Sequence, residues 1–97
     1  MKHRVLNYAD NIIHGARQRD YGSADHSFNT IAKMWSAYLK TEIKPDQVAM
    51  MMVLLKVGRS TDSVQFDSLV DIAGYAALAD TIINGACYVP EEEGYEV

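Results

Sequence analysis

Ninety-seven residues, 48% of them hydrophobic, describe one small folded domain and exclude a disordered chain. The formal net charge of −4 sits at the end of the chain: Glu91, Glu92, Glu93 and Glu96 follow Pro90, while residues 1–90 hold nine acidic and nine basic side chains. A neutral body excludes a non-specific nucleic-acid binder, which needs a basic excess, and a lone cysteine, Cys87, excludes an intrachain disulfide and multi-cysteine zinc sites.

The first helical segment is expected over about Val5 to Arg19, where Val5, Tyr8, Ala9, Ile12, Ile13 and Ala16 recur at spacings of three and four. Gly22 is its expected stop. The second starts at Ser23 or Asp25, either of which can cap a helix, and runs to about Leu39 with the stripe Phe28, Ile31, Ala32, Trp35, Tyr38 and Leu39. Pro45 opens the third, with Asp46 next to complement the helix dipole. From Val48 to Val57 that segment is apolar on almost every side, which predicts the buried central helix. The fourth runs from about Gln65 to Asn84 and stops at Gly85. No strand-period signal of useful length and no internal repeat occur. The expectation is an all-α, compact four-helix bundle over residues 1–88 with an acidic, solvated tail over 89–97.

No apolar run approaches the ~20 residues needed to cross a bilayer, and Met1-Lys-His-Arg4 leads into Asn7, Asp10 and Asn11, not into a signal-peptide core. The expected location is the cytoplasm, with no membrane contact. Five Met, six Tyr and one Trp are much apolar area for so short a chain, so a homo-oligomer is expected to complete the core.

Three clusters carry possible chemistry. Asp67 and Asp71 lie one helical turn apart in Asp67-Ser-Leu-Val-Asp71-Ile-Ala-Gly74-Tyr75, so both carboxylates share a face. Their repulsion costs about 0.2–0.5 kcal/mol, which a cation from the protein or a bound metal must offset. Asp67 also reads as an ordinary first-turn acid, whereas Asp71 stands inside the helix beside small apolar residues and calls for a partner. Lys56 and Arg59, at the end of the third segment, complement its dipole. Lys56 also interrupts an apolar run, so it is expected to pair with Asp71 or Asp67 or to meet a phosphate. The junction Arg17-Gln-Arg19-Asp-Tyr21-Gly22, with His26 and Asn29 beyond it, is suited to an anion or a stacked base, and equally to an ordinary turn. His3 and His14 have no partners at metal-ligand spacing. Trp35, Tyr38 and Tyr75 read first as core or interface residues.

These same stretches, together with Phe28-Asn-Thr-Ile-Ala32, Trp35-Ser-Ala-Tyr-Leu39, Asp46-Gln-Val-Ala-Met-Met51 and Leu55-Lys-Val-Gly-Arg59, resemble a family of small proteins of tailed bacteriophages and prophages over about residues 5–80. More distantly, the segment from Asp67 to Ala76 is similar to the last motif of MazG-like all-α nucleoside triphosphate pyrophosphohydrolases. That resemblance implies a MazG-like bundle, a dimer or tetramer with sites near subunit contacts, and a Mg²⁺-dependent nucleotide site. Asp67 and Asp71, with Asp46, would hold the metal, and Lys56, Arg59, Arg17, Arg19 and Tyr21 the nucleotide. The sequence departs from the motif in two ways: its acids are spaced i, i+4 instead of i, i+3, and the third segment has no Glu-x-x-Glu pair. Asp46 is the only acid of that segment, and Asp20 and Asp25 are the acids left to substitute. Three functions stay open: nucleotide pyrophosphate hydrolysis, nucleotide sequestration without cleavage, and an oligomeric adaptor for a host or phage protein.

Overall fold

A computed structural model describes residues 2–15 and 24–85 of the chain. It is all-helical over those residues, with α1 at Arg4–His14, α2 at Ala24–Leu39, α3 at Pro45–Gly58 and α4 at Phe66–Asn84. None of these helices is long and apolar enough to cross a membrane.

Several helix ends have a local cause. At the start of α1, His3 Nδ1 accepts the Val5 N–H at 3.1 Å, and at its end His14 Nδ1 bonds the Asp10 carbonyl at 2.8 Å. The two histidines without metal-ligand spacing therefore serve the two ends of the first helix. The helix stops at Gly15, short of the expected Arg19. Gly15 has left helical geometry, with φ −102° and ψ −100°, and its N–H closes the last turn on Asn11 O. A Cβ there would stand 2.9 Å from Asn11 O, so this close approach requires glycine. Residues 16–23, which include Gly22 and the candidate cap Ser23, lie outside the described residues, as does the tail over 89–97.

Helix α2 ends on Lys40, a non-glycine residue at φ 55°, and the Thr41 N–H returns to Ser36 O at 3.3 Å. That is the six-to-one bond of a Schellman cap. The Ser36 hydroxyl then ties down the connection, donating to Ile43 O at 3.2 Å and accepting from Ile43 N at 2.8 Å. At the start of α3, Gln47 Oε1 accepts the Lys44 N–H at 2.8 Å, the reciprocal half of a capping box. Gly85 closes α4 at φ 79°, as expected from sequence.

The core is formed by Ile13 of α1, Phe28 and Ala32 of α2, Val48 and Ala49 of α3, and Leu78 and Ala79 of α4. Phe28 and Val48 are the largest side chains almost wholly withdrawn from solvent, each worth about 1.5–3 kcal/mol of burial. Gly74 faces α1 across the α1–α4 contact, where a Cβ would stand 3.7 Å from Ile13 Cγ2, an ordinary contact. Near the start of α4, Tyr8 meets Phe66 edge-on at 5.4 Å and the Arg4 guanidinium lies 4.1 Å from the Phe66 ring centre.

The central helix is α4, which packs against all three others. The expectation that α3 is buried all round is corrected: Val48 and Ala49 are buried, while Met50, Met51, Leu54, Leu55 and Val57 are exposed. Periodicity reads an all-apolar helix as interior, but the three other helices among the described residues do not cover every face of it.

Candidate functional site

Helices α3 and α4 run antiparallel across a seven-residue connection. Lys56, in the last turn of α3, faces Asp71, one turn into α4, with Nζ 3.1 Å from Oδ2. The ammonium side chain is 18% exposed and the carboxylate side chain 38%. The stem of Lys56 therefore runs along apolar surface while its charged end meets a carboxylate at the rim of the seam. Desolvation is partial, so the pair gains more than a fully exposed one and avoids the full cost of a buried one. Of the two partners the sequence allowed for Lys56, the structure selects Asp71.

The other acids and cations of this region sit around that pair. Asp67 is an exposed first-turn acid of α4, whose N-cap Gln65 makes no side-chain cap hydrogen bond. Arg59 caps the C-terminus of α3 and is exposed. Asp46 lies in the first turn of α3, so the length of that helix separates it from Lys56. Among the described residues no three His, Cys, Asp or Glu side chains gather as a group able to hold a metal ion, so Asp46, Asp67 and Asp71 are not brought together as one. Arg17, Arg19 and Tyr21 lie outside the described residues, while His26, beyond them on α2, is exposed.

One helical turn further along the seam, Met52 of α3 and Tyr75 of α4 take the places of Lys56 and Asp71. There a partly open cavity of about 250 Å³ lies between α2, α3 and α4, lined by Ser27, Phe28, Trp35, Val48, Met52 and Tyr75 among others. Phe28 and Tyr75 present nearly parallel rings, 26° apart with centres 6.3 Å apart. Ser27 Oγ is buried and has no hydrogen-bond partner among the described residues. Nothing in the sequence singled out Ser27, since a serine inside a helix carries no periodic or motif signal. On the outer side of Trp35, a shallower groove of about 400 Å³ is lined by Trp35, Tyr38, Leu39 and Met51.

The four helices and the paired seam define a small all-helical domain, and its sequence places it among bacteriophage proteins. Residues 4–83, from the start of α1 to the last turn of α4, match the family described as a domain of unknown function, DUF6378, and the chain belongs to that family. It is 40% identical over 93 residues to the Gene 55 protein of Mycobacterium phage L5, covering 94% of this chain and 56% of that protein. It is 37% identical over 83 residues to the Gene 55 protein of Mycobacterium phage D29, covering 84% of this chain and 55% of that one. The chain thus spans little more than half the length of either relative. No solved structure matches it.

Proposed function

We propose that the protein binds a nucleotide through its phosphates at the α3–α4 rim, with Lys56 and Arg59 as counter-charges. The observation that carries this reading is the half-sheltered Lys56–Asp71 pair, with Asp67 and Arg59 standing exposed at the two helix ends beside it. A cation held ready by one carboxylate oxygen can turn to a phosphate without an energetic penalty as large as that of uncovering a buried, unpaired charge. Mg²⁺ fits such a place as a companion of the ligand: it is commonly held by one or two carboxylates plus substrate phosphates. Asp67 and Asp71 would supply those carboxylates, with the distant resemblance to MazG-like enzymes pointing the same way. Arg17, Arg19 and Tyr21 belong to this proposal as further nucleotide contacts, and Asp46 as a more remote acid.

Two carboxylates favour binding over turnover. The four-acid arrangement that drives pyrophosphate release in MazG-like enzymes has no counterpart in the third helical segment, so sequestration is the preferred form of the reading. The test is to incubate the protein with deoxynucleoside and ribonucleoside triphosphates and cyclic nucleotides, with Mg²⁺ or Mn²⁺, and follow both pyrophosphate and the unfolding temperature. Stabilisation without product is the expected result. Product would make the protein a pyrophosphohydrolase, and the absence of both responses would overturn the nucleotide reading.

A second reading, assembly with further copies of the chain, is favoured by a separate observation. Tyr38 is 86% exposed, and Met34, Leu39, Met51 and Leu54 are also open on α2 and α3. So much apolar surface on adjoining helices suits a protein contact. Its test is molar mass in solution by light scattering: a dimer or tetramer supports it, and a monomer at high concentration leaves the adaptor role for that face.

A further inference from the structure

The apolar cavity on the same seam has no part in holding phosphates, yet its composition points to a ligand. Three aromatic residues line it, the almost wholly buried Phe28 and the accessible Trp35 and Tyr75, beside a flexible sulfur-containing one, Met52. Such walls attract flat, polarisable rings through stacking and sulfur–aromatic contact. Its volume of about 250 Å³ lies just under the ~300–1,000 Å³ usual for small-molecule pockets, which suits a single small ring system better than a drug-sized ligand.

Besides the phenol of Tyr75, the lining of this cavity includes the hydroxyl residue Ser27. Ser27 Oγ is shut away from solvent and has no protein partner among the described residues. A buried hydroxyl left without a partner is costly and uncommon in a folded protein, and a ligand edge carrying a donor or acceptor would satisfy it once the side chain turns toward the cavity. An aliphatic ligand would fill the space and leave the hydroxyl unsatisfied. A heteroaromatic ring would do both jobs.

The cavity and the ion pair are also in register. Met52 precedes Lys56 by four residues on α3, and Tyr75 follows Asp71 by four on α4, a step of about 6 Å along each helix. A ligand with a flat ring at one end and phosphates at the other, joined by a short sugar-sized spacer, matches that order.

We propose that this cavity receives the base of the nucleotide, stacked on its accessible aromatic walls, with Ser27 turning its Oγ to hydrogen-bond the base edge and Lys56 holding the phosphates one turn along the seam. This rests on the nucleotide reading above and adds to it the source of base recognition. Ser27 is then a specificity residue, because its hydroxyl rewards only those bases that present a matching group to it.

The test uses the intrinsic fluorescence of Trp35, the chain's single tryptophan, beside calorimetry. The full-length protein is titrated, with Mg²⁺, against the four deoxynucleoside triphosphates and against inorganic tripolyphosphate. The expected result is quenching of Trp35 by at least one deoxynucleoside triphosphate, which binds tenfold or more tightly than tripolyphosphate. Ser27→Ala should weaken that nucleotide about five- to tenfold, leave tripolyphosphate binding unchanged, and leave the ligand-free unfolding temperature unchanged or higher. Equal binding of nucleotide and tripolyphosphate with no change in Trp35 emission would overturn the base site while sparing the phosphate site. Failure of both ligands to bind would overturn the two together. A Ser27→Ala protein that is destabilised without ligand would show that the hydroxyl serves the fold instead of a base.

Discussion

Lys56 Nζ stands 3.1 Å from Asp71 Oδ2, so the one cation inside the apolar run of α3 is matched to the acid one turn inside α4. A like-charge pair of aspartates on one face of a helix is thereby tolerated, because the inner member is neutralised from the neighbouring helix. Replacing Asp71 by Asn should cost about 1–2 kcal/mol, between the ~0–1 typical of exposed pairs and the ~3–5 of breaking buried ones. Denaturant unfolding of the single variants and of Asp71→Asn with Lys56→Met measures the coupling. Additive effects of the two substitutions would mean that the pair contributes nothing.

Helix α2 ends with Lys40 at φ 55°, a conformation costing an L-residue about 1–2 kcal/mol that glycine adopts freely. Lys40→Gly should therefore stabilise the protein by about 0.5–1 kcal/mol after the extra freedom of the unfolded chain is counted. In a domain of this size that is a rise of roughly 2–8 °C in Tm, readable by thermal unfolding.

The Ser36 hydroxyl joins α2 to the strained connection through both the N–H and the carbonyl of Ile43. Ser36→Ala leaves both of those part-buried backbone groups without that partner, and a loss of about 1–3 kcal/mol is expected. Hydrogen exchange should report faster opening of the Ile43 amide than of the amides of α4.

Gly74 tests how closely α1 and α4 meet. An added methyl would stand 3.7 Å from Ile13 Cγ2, an ordinary contact, and it would improve helix propensity by about 1 kcal/mol. Gly74→Ala should raise Tm, whereas Gly74→Leu should lower it by displacing Ile13 from the core.

Much of this architecture was legible in the sequence, and the parts that were not share physical reasons. Stripes such as Phe28, Ala32 and Trp35 located α2, and Pro45 and Gly85 marked two helix ends, because these signals are local. From sequence Lys56 could pair with Asp71 or Asp67 or meet a phosphate, and only packing of α3 on α4 decides which carboxylate is within reach. The reading of α3 as buried all round failed because hydrophobicity alone does not say which elements are available to cover a helix. Met51, Leu54 and Leu55 are exposed for that reason. The early end of α1 at Gly15 lay in a single glycine inside a convincing periodic run. Ser27 was invisible, since its role depends on a cavity built from three separate helices.

The most direct measurement of the nucleotide reading is a calorimetric titration of Mg²⁺ and a panel of nucleoside triphosphates into the natural protein and into Lys56→Met/Arg59→Ala. Saturable binding to the natural protein, weakened at least tenfold in a variant that keeps its helical content by circular dichroism, is the expected outcome. Equal affinity of the two folded proteins would place the phosphates elsewhere, and absence of binding to the natural protein would contradict the reading outright.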